Sequence, residues 1–312
     1  MSFFPRDIVA PAATQAPVIE WEEPDCALCG SRHSVPLVEA PDVTAGGSGL
    51  WFVVVQCQEC GLCYTSPRPN VETIGQFYPP VYGPHQSRPA HRQNKKHHWF
   101  GSHPRRFQEK LLTASRIQGG RLLDFGCGAG RFLAHMAGQS WQVTGIDTST
   151  MAVQRARTDL GLRALVGTLP HPDLKPSSFE AITMWHSLEH VHEPLEILKE
   201  AHRLLVPGGR IVITVPNIDS LPFRWFGSAW YGLDLPRHMS HFAPWTLHLM
   251  LEQAGFRVGP MRMIRHSDWM RWSARLACKR GSAPRRYHWL LKRPVSRLSI
   301  SYPLRKLTPQ SR

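Results

Sequence analysis

Two short cysteine motifs in this 312-residue sequence have a spacing that suits metal chemistry. Cys26-Ala-Leu-Cys29 and Cys57-Gln-Glu-Cys60 are Cys-x2-Cys knuckles, each followed by a glycine, Gly30 or Gly61, that eases a tight turn. Four such thiolates can hold one tetrahedral zinc ion. A closed four-cysteine site is structural, because it leaves no coordination position for a substrate. The 27 residues between the knuckles must contain a loop, and Gly46-Gly47-Ser48-Gly49 suits one. Buried or redox-active thiols are the competing reading. Cys63, Cys127 and Cys278 stand outside the pattern.

A second motif is built to approach a ligand. In Leu122-Leu-Asp-Phe-Gly-Cys-Gly-Ala-Gly-Arg131 the glycines fall at 126, 128 and 130. The dinucleotide fingerprint would need glycine at 131, where this chain has Arg131, and a phosphate loop would need Gly-Lys-Ser/Thr. Asp124 decides further, since a carboxylate two residues before the first glycine repels a pyrophosphate and attracts a cation. Asp147, 19 residues after Gly128, falls about where an acid takes ribose hydroxyls. A nucleoside cofactor with positive charge satisfies both acids. S-adenosylmethionine, which carries an ammonium and a sulfonium and no phosphate, is such a molecule.

Two histidine clusters can move a proton near neutral pH. In His186-Ser-Leu-Glu-His190, one helical turn would place His186, Glu189 and His190 on one face. The three could catalyse or bind a divalent metal, or Glu189 and His190 could serve as structural hydrogen-bonders near Pro194. The second cluster is Leu235-Pro-Arg-His-Met-Ser-His-Phe242. There Arg237 precedes His238, and a nearby cation disfavours the imidazolium.

The elements that must carry these groups alternate from about residue 107. RLLDFG, QVTGID, FEAITMW and RIVITVPN have the composition of short strands, and the segments between them repeat apolar residues at helical spacing. This predicts an α/β fold with a doubly wound, mostly parallel sheet. Val206-Pro-Gly-Gly209 predicts a helix stop before the RIVITV strand. FRVGPMRMI (256–264) is a candidate further strand, and RLSISYPL a late-returning one.

The predicted organisation is a loose arm (1–24), a small zinc-binding domain (25–83), a basic linker (84–106), the cofactor-binding domain (107–264) and a basic tail (265–312). From Arg257 to Arg312 the chain has 15 Lys and Arg against one acid, Asp268, which accounts for the whole formal net charge of +14. Such a tail suits an anionic partner. Trp269, Trp272 and Leu276 recur at helical spacing beside Arg271, Arg275 and Lys279, the layout of a helix lying in a membrane surface. The competing reading packs that stripe on the protein's own core. RRYHWLLKR repeats the aromatic and basic mixture. An odd cysteine count, seven, and an N-terminus unlike a signal peptide predict a cytoplasmic protein, peripheral at most to the inner face of the membrane.

Over roughly residues 107 to 264 the chain resembles the class I S-adenosylmethionine-dependent methyltransferases. LLDFGCGAG is similar to their first motif, GID to their ribose-binding acid, and LPHPDLKPSSFEAI to the segment bordering adenine. WHSLEHVHEP and LLVPGGRIVITVPN resemble the stretch around the fourth and fifth strands. The resemblance implies a seven-stranded-type sheet with a cofactor-binding set of Asp124, Phe125, Gly126, Cys127, Gly128, Gly130, Asp147, Thr148, Leu169, Trp185 and His186. Within that set the resemblance puts Asp147 on the ribose, Leu169 beside the adenine, and Trp185 and His186 on the reactive side.

CQECGLCYTSPRP also resembles a cysteine-bearing N-terminal unit of sugar C-methyltransferases. That implies a zinc unit on Cys26, Cys29, Cys57 and Cys60 that helps shape the acceptor pocket. The LPRHMSHF segment is similar to the catalytic histidine segment of those enzymes, with His238 as the implied base and His241 a weaker companion. Those enzymes have an acid where this chain has Arg237. Quinone-type O-methyltransferases are similar around Glu189 and His190, with an acid where this chain has His186. The implied acceptor is a small molecule, foremost a sugar or lipid-linked saccharide precursor. Nucleic acid is disfavoured, because the chain has no N-P-P-Y/F-like base-methylating motif and no RNA-recognition signature. A non-catalytic cofactor-binding regulator is the third alternative.

Overall fold

The computed structural model describes residues 18–44, 47–78, 119–264 and 267–280. The expected 84–106 linker, most of the 1–24 arm, RRYHWLLKR and RLSISYPL lie outside the described residues.

The N-terminal part forms β1 (Trp21–Glu22), β2 (Ser34–Pro41), β3 (Trp51–Cys57), β4 (Cys63–Thr65) and β5 (Arg68–Pro69). β2, β3 and β4 form an antiparallel ladder, and β1 pairs with β5. The knuckles sit where these strands turn: Gly30 and Gly61 have φ of 72° and 69°, a conformation open to glycine at little cost.

From residue 120 the expected alternation follows: β6 (Gly120–Phe125), α1 (Arg131–Ala137), β7 (Trp141–Asp147), α2 (Thr150–Leu160), β8 (Ala164–Val166), β9 (Phe179–Trp185), α3 (Pro194–Leu204) and β10 (Leu205–Thr214). These five strands are parallel, in the order β10-β9-β6-β7-β8. Strand order reverses between β6 and β9, so the carboxyl ends of those two strands frame the crevice where open α/β sheets bind ligands. Val206-Pro-Gly-Gly209 does stop α3, and it appears as a register shift at the start of β10.

The described sheet has five strands where the resemblance implied seven. Residues 256–264 form no strand. Pro260 lacks the N–H a ladder needs, and Met261 and Met263 are exposed.

The chain continues through α4 (Leu221–Phe226), β11 (Ser240–His241), α5 (Pro244–Gln253) and α6 (Ser267–Lys279). β11 crosses to the N-terminal ladder and pairs with β4, giving the order β11-β4-β3-β2. One continuous core joins the two parts: Cys26, Leu28, Val55 and Leu62 cluster with Leu123, Met184, Leu198 and Met250.

For the described part of the tail, α6, the structure favours the core-packing reading of the stripe. Its apolar stripe packs on the protein itself: Ala274 and Ala277 are buried, and Trp269, Met270 and Leu276 pack against a cluster containing Phe226, Trp230 and Leu233. Tyr231 takes both tryptophan rings, with centroids 5.8 Å from Trp269 and 4.6 Å from Trp272. The sequence left the two readings open because the amphipathic period is the same whether the partner is lipid or a core. No helix among the described residues is long and apolar enough to cross a membrane.

Candidate functional site

The glycine loop leaves β6 at the switch point. Gly126 has φ of 74°, and a Cβ there would stand 2.5 Å from Cβ of Ser187, so the position admits only glycine. The next turn is held by Asp147, whose Oδ2 accepts from Gly128 N–H and whose Oδ1 accepts from Ser149 N–H, both at 2.8 Å. Gly130, at φ 75°, then opens α1.

Asp124 lies beneath the loop, 2% exposed. Burial raises its carboxyl to about 7; the Thr183 hydroxyl, donating at 2.6 Å, opposes that rise and the Asp147 charge adds to it. A buried acid held short of ionisation is what a cationic ligand would stabilise, so these residues fit a sulfonium nucleoside. Phe125 is buried with its carbonyl accepting from Ser187, and Cys127 packs in the core with Leu122 and Leu133. Thr148 is exposed, Leu169 is buried, and Trp185 packs edge-on to Phe132 at 5.3 Å.

In the N-terminal part the four knuckle sulfurs converge. Sγ of Cys26 is 3.4 Å from that of Cys60, Sγ of Cys29 is 3.5 Å from that of Cys57, and all four lie within 4.8 Å of one another. Although burial acts to raise the Cys57 thiol, backbone N–H groups of Cys60 and Glu59 and the Cys29 thiol bring it down to about 7. Converging sulfurs with amide donors aimed at them form a donor set suited to one tetrahedral ion.

A third feature is a buried polar cluster. His186 and Glu189 do meet, Nδ1 to Oε1 at 3.2 Å. They do so without the expected helical turn: only Leu188–His190 form a short 3-10 turn, and His186 sits outside it at φ 52°. Glu189 is fully buried. Burial would raise its carboxyl, but the His186 hydrogen bond and the nearby imidazoles of His238 and His190 lower it.

The His238 ring lies across that of His190 at 4.6 Å between centroids. Its Nδ1 is 2.9 Å from the Gly232 carbonyl. A carbonyl only accepts, so Nδ1 carries the proton and Nε2 of the neutral ring carries the lone pair. That Nε2 faces Oε1 of Glu189 at 4.0 Å and Oδ2 of Asp234 at 3.9 Å. Burial lowers His190 to about 4 and His241 to about 3, so both are neutral at pH 7. One ligand atom from each of Glu189, His190 and His238 lies within 4.8 Å of the others, whereas His186 falls outside that group.

Arg237 is taken up by partners other than its sequence neighbour His238. Its fully buried guanidinium donates to Asp42 at 2.8 Å, to Asp234 at 2.9 Å and to the Phe77 carbonyl at 2.8 Å. Its charge is matched by two carboxylates. Asp234, at φ 35°, also accepts from Thr44 at 2.6 Å. Burial opposes ionisation of Asp234, yet Arg237 and the His238 imidazole hold its carboxyl down at about 2. His186 and Asp234 are two of the few non-glycine residues with positive φ, and both face the cluster.

Asp234, Thr65, Asp42 and Tyr78 join the site without having been singled out from sequence. Of these only Asp234 carried a local signal, lying four residues before His238. Among the described residues, Glu189 Oε2, Trp185 Nε1, Thr214 Oγ1 and Ser240 Oγ are buried without a hydrogen-bond partner. Trp185 and Thr214 are register partners at the ends of β9 and β10, and Ser240 follows the two residues that contact Glu189.

The family described as "Methyltransferase domain" matches residues 96–259. The chain is 30% identical over 183 residues to the ubiquinone biosynthesis O-methyltransferase of Xanthomonas euvesicatoria pv. vesicatoria (strain 85-10), covering 55% of this chain and 76% of that protein. It is 32% identical over 120 residues to the enzyme of the same name from Vibrio cholerae serotype O1 (strain M66-2), covering 36% of this chain and about half, 49%, of the relative. The crystal structure of an S-adenosylmethionine-dependent methyltransferase from Mesorhizobium loti aligns with a TM-score of 0.42 at 21% identity, covering 56% of this chain and 90% of that one.

Proposed function

The chain belongs to the S-adenosylmethionine-dependent methyltransferase family, and from that premise we propose that it methylates an oxygen or acidic carbon of a hydroxylated small molecule, foremost a sugar or lipid-linked saccharide precursor. The observation that carries this reading is the set of buried, unpartnered polar atoms at the ends of β9 and β10 and on the facing segment. An indole N–H, two hydroxyls and a carboxylate oxygen left unsatisfied in one region favour a ligand with several hydroxyl groups, because buried polar groups otherwise stay costly. The names of the relatives favour an oxygen acceptor on a quinone precursor as the second reading.

S-adenosylmethionine supplies an electrophilic methyl group when bound. Asp124 and Asp147 would hold its cationic and ribose parts, with Gly126 to Gly130 giving backbone access. The hydroxyl to be methylated would pass its proton to Nε2 of His238, while a neighbouring hydroxyl of the acceptor would donate to Oε2 of Glu189. Glu189 and Asp234, each about 4 Å from Nε2, would then stabilise the imidazolium. Zinc on Cys26, Cys29, Cys57 and Cys60 would hold together the unit that walls the acceptor side. About one equivalent of zinc per purified chain, lost in Cys57→Ser, is the expected result.

The test supplies methyl-labelled S-adenosylmethionine and a host-cell extract to the purified protein and counts label in lipid, water-soluble saccharide, quinone and RNA fractions. Label in saccharide or lipid-linked saccharide supports the first reading, and label in the quinone fraction supports the second. Label in RNA overturns both. Label in no fraction, despite cofactor binding, moves the assignment to a cofactor-binding regulator.

A further inference from the structure

Thr65 ends β4, the strand that begins three residues after the last knuckle cysteine, and it is fully buried. Its backbone N–H donates to the Met239 carbonyl at 2.9 Å. Its hydroxyl donates to the His238 carbonyl at 2.8 Å and lies 3.1 Å from Nε2 of His241. The hydroxyl has one proton, and the carbonyl can only accept, so His241 must be the donor and is fixed with its proton on Nε2. From the other side, Met239 N–H donates to the Glu189 carbonyl at 2.8 Å. The backbone of residues 238–239 is therefore gripped between Glu189 and a strand of the four-cysteine unit.

We infer that Thr65 is a positioning residue for methyl transfer: it carries the order of the four-cysteine unit to His238 and sets that ring against Glu189. This rests on the reading of His238 as proton acceptor. A cysteine unit serving only stability would not need a side-chain bond to each of two histidines outside it. Because the β4–β11 pairing and the Thr65 backbone bond survive a change of side chain, the hydroxyl can be tested separately from the fold.

The experiment uses the full chain labelled with 15N-histidine, its rings assigned with His241→Gln and His238→Gln. Long-range proton–nitrogen spectra report each tautomer and need no acceptor, so the outcome stands even if the acceptor assignment fails. In the unaltered protein His241 is expected in the Nε2–H form and His238 in the Nδ1–H form. An Nδ1–H form for His241 would overturn the inference without any variant. Thr65→Val should abolish the His241 preference and displace the His238 signals, and Thr65→Ser should restore both. Where the extract assay gives label transfer, Thr65→Val should slow it at least about tenfold while S-adenosylhomocysteine affinity holds, and Thr65→Ser should recover it. His238 signals unmoved in Thr65→Val, or a loss of transfer that Thr65→Ser does not repair, would assign the residue a structural role only.

Discussion

Nε2 of His238 stands 4.0 Å from Oε1 of Glu189, while Nδ1 of the same ring is tied to the Gly232 carbonyl. The ring therefore cannot turn its lone pair elsewhere without breaking a buried hydrogen bond. That constraint gives the proposed base one direction in which to take a proton.

His238→Gln and Glu189→Gln should each slow methyl transfer by about 10²–10⁴-fold, the usual worth of a positioned acid–base group. Cofactor affinity should hold, because the residues that shape the cofactor loop, Gly126, Asp147 and Asp124, are not theirs. Label transfer and calorimetric titration with S-adenosylhomocysteine measure the two quantities. Unaltered transfer in both variants would remove His238 and Glu189 from the path of the proton.

Asp124 makes a prediction about pH. Its folded-state carboxyl titrates at about 7, well above its ordinary 3.8. Between those values the folded chain binds the proton that the unfolded chain releases. This contribution to stability is thus greatest below about pH 4 and is lost as pH rises to about 7. Asp124→Asn should flatten that part of the melting-temperature profile. A cationic ligand favours the ionised carboxylate, so cofactor affinity should rise with pH up to about 7 in the unaltered protein and lose that slope in Asp124→Asn. Parallel affinity profiles for the two proteins would remove Asp124 from the cofactor's charge recognition.

Local chemistry was legible in the sequence where a motif is contiguous. LLDFGCGAG and the acid of QVTGID describe a loop and its anchor within a single βαβ unit, and both knuckles carry their own turns. Partnerships across the fold were not legible. Arg237 was read through its neighbour His238, yet its side chain reaches Asp42 and the Phe77 carbonyl, which sequence adjacency cannot reveal. Thr65 gave no signal either, because β4 and β11 have three and two residues, too short for an alternating pattern. The α6 stripe was legible as amphipathic, but the identity of its partner depends on Tyr231 and Trp230 in distant turns.

Arg237 should prove costly to remove. Its guanidinium is 0% exposed between Asp42 and Asp234, and truncation leaves the buried Asp42 carboxylate and the half-buried Asp234 carboxylate without their cation. Arg237→Met should destabilise the protein by about 3–5 kcal/mol in urea unfolding. Adding Asp42→Asn should return part of that loss, since it removes one of the stranded charges. Lysine should not substitute well, because a single ammonium cannot repeat the forked contacts to both acids and to the Phe77 carbonyl. A loss below about 1 kcal/mol, the worth of an exposed pair, would mean that the cluster rearranges freely and does not hold Asp234 in place.

Trp269 separates the two uses of the α6 stripe. Its ring lies 5.5 Å from the His186 ring and 5.8 Å from Tyr231, so it joins the tail helix to the polar cluster. Trp269→Ala removes a large, half-buried aromatic. It should cost up to about 3 kcal/mol, the low end for such truncations because the ring is not fully enclosed. Sedimentation with phosphatidylserine vesicles should not change, since the stripe already has a protein partner. If lipid binding is lost in Trp269→Ala while urea stability holds, the packing against Tyr231 is dispensable and α6 serves a membrane surface instead. Slower methyl transfer together with the stability loss is the expected companion, because the same ring helps hold His186, the histidine bonded to Glu189.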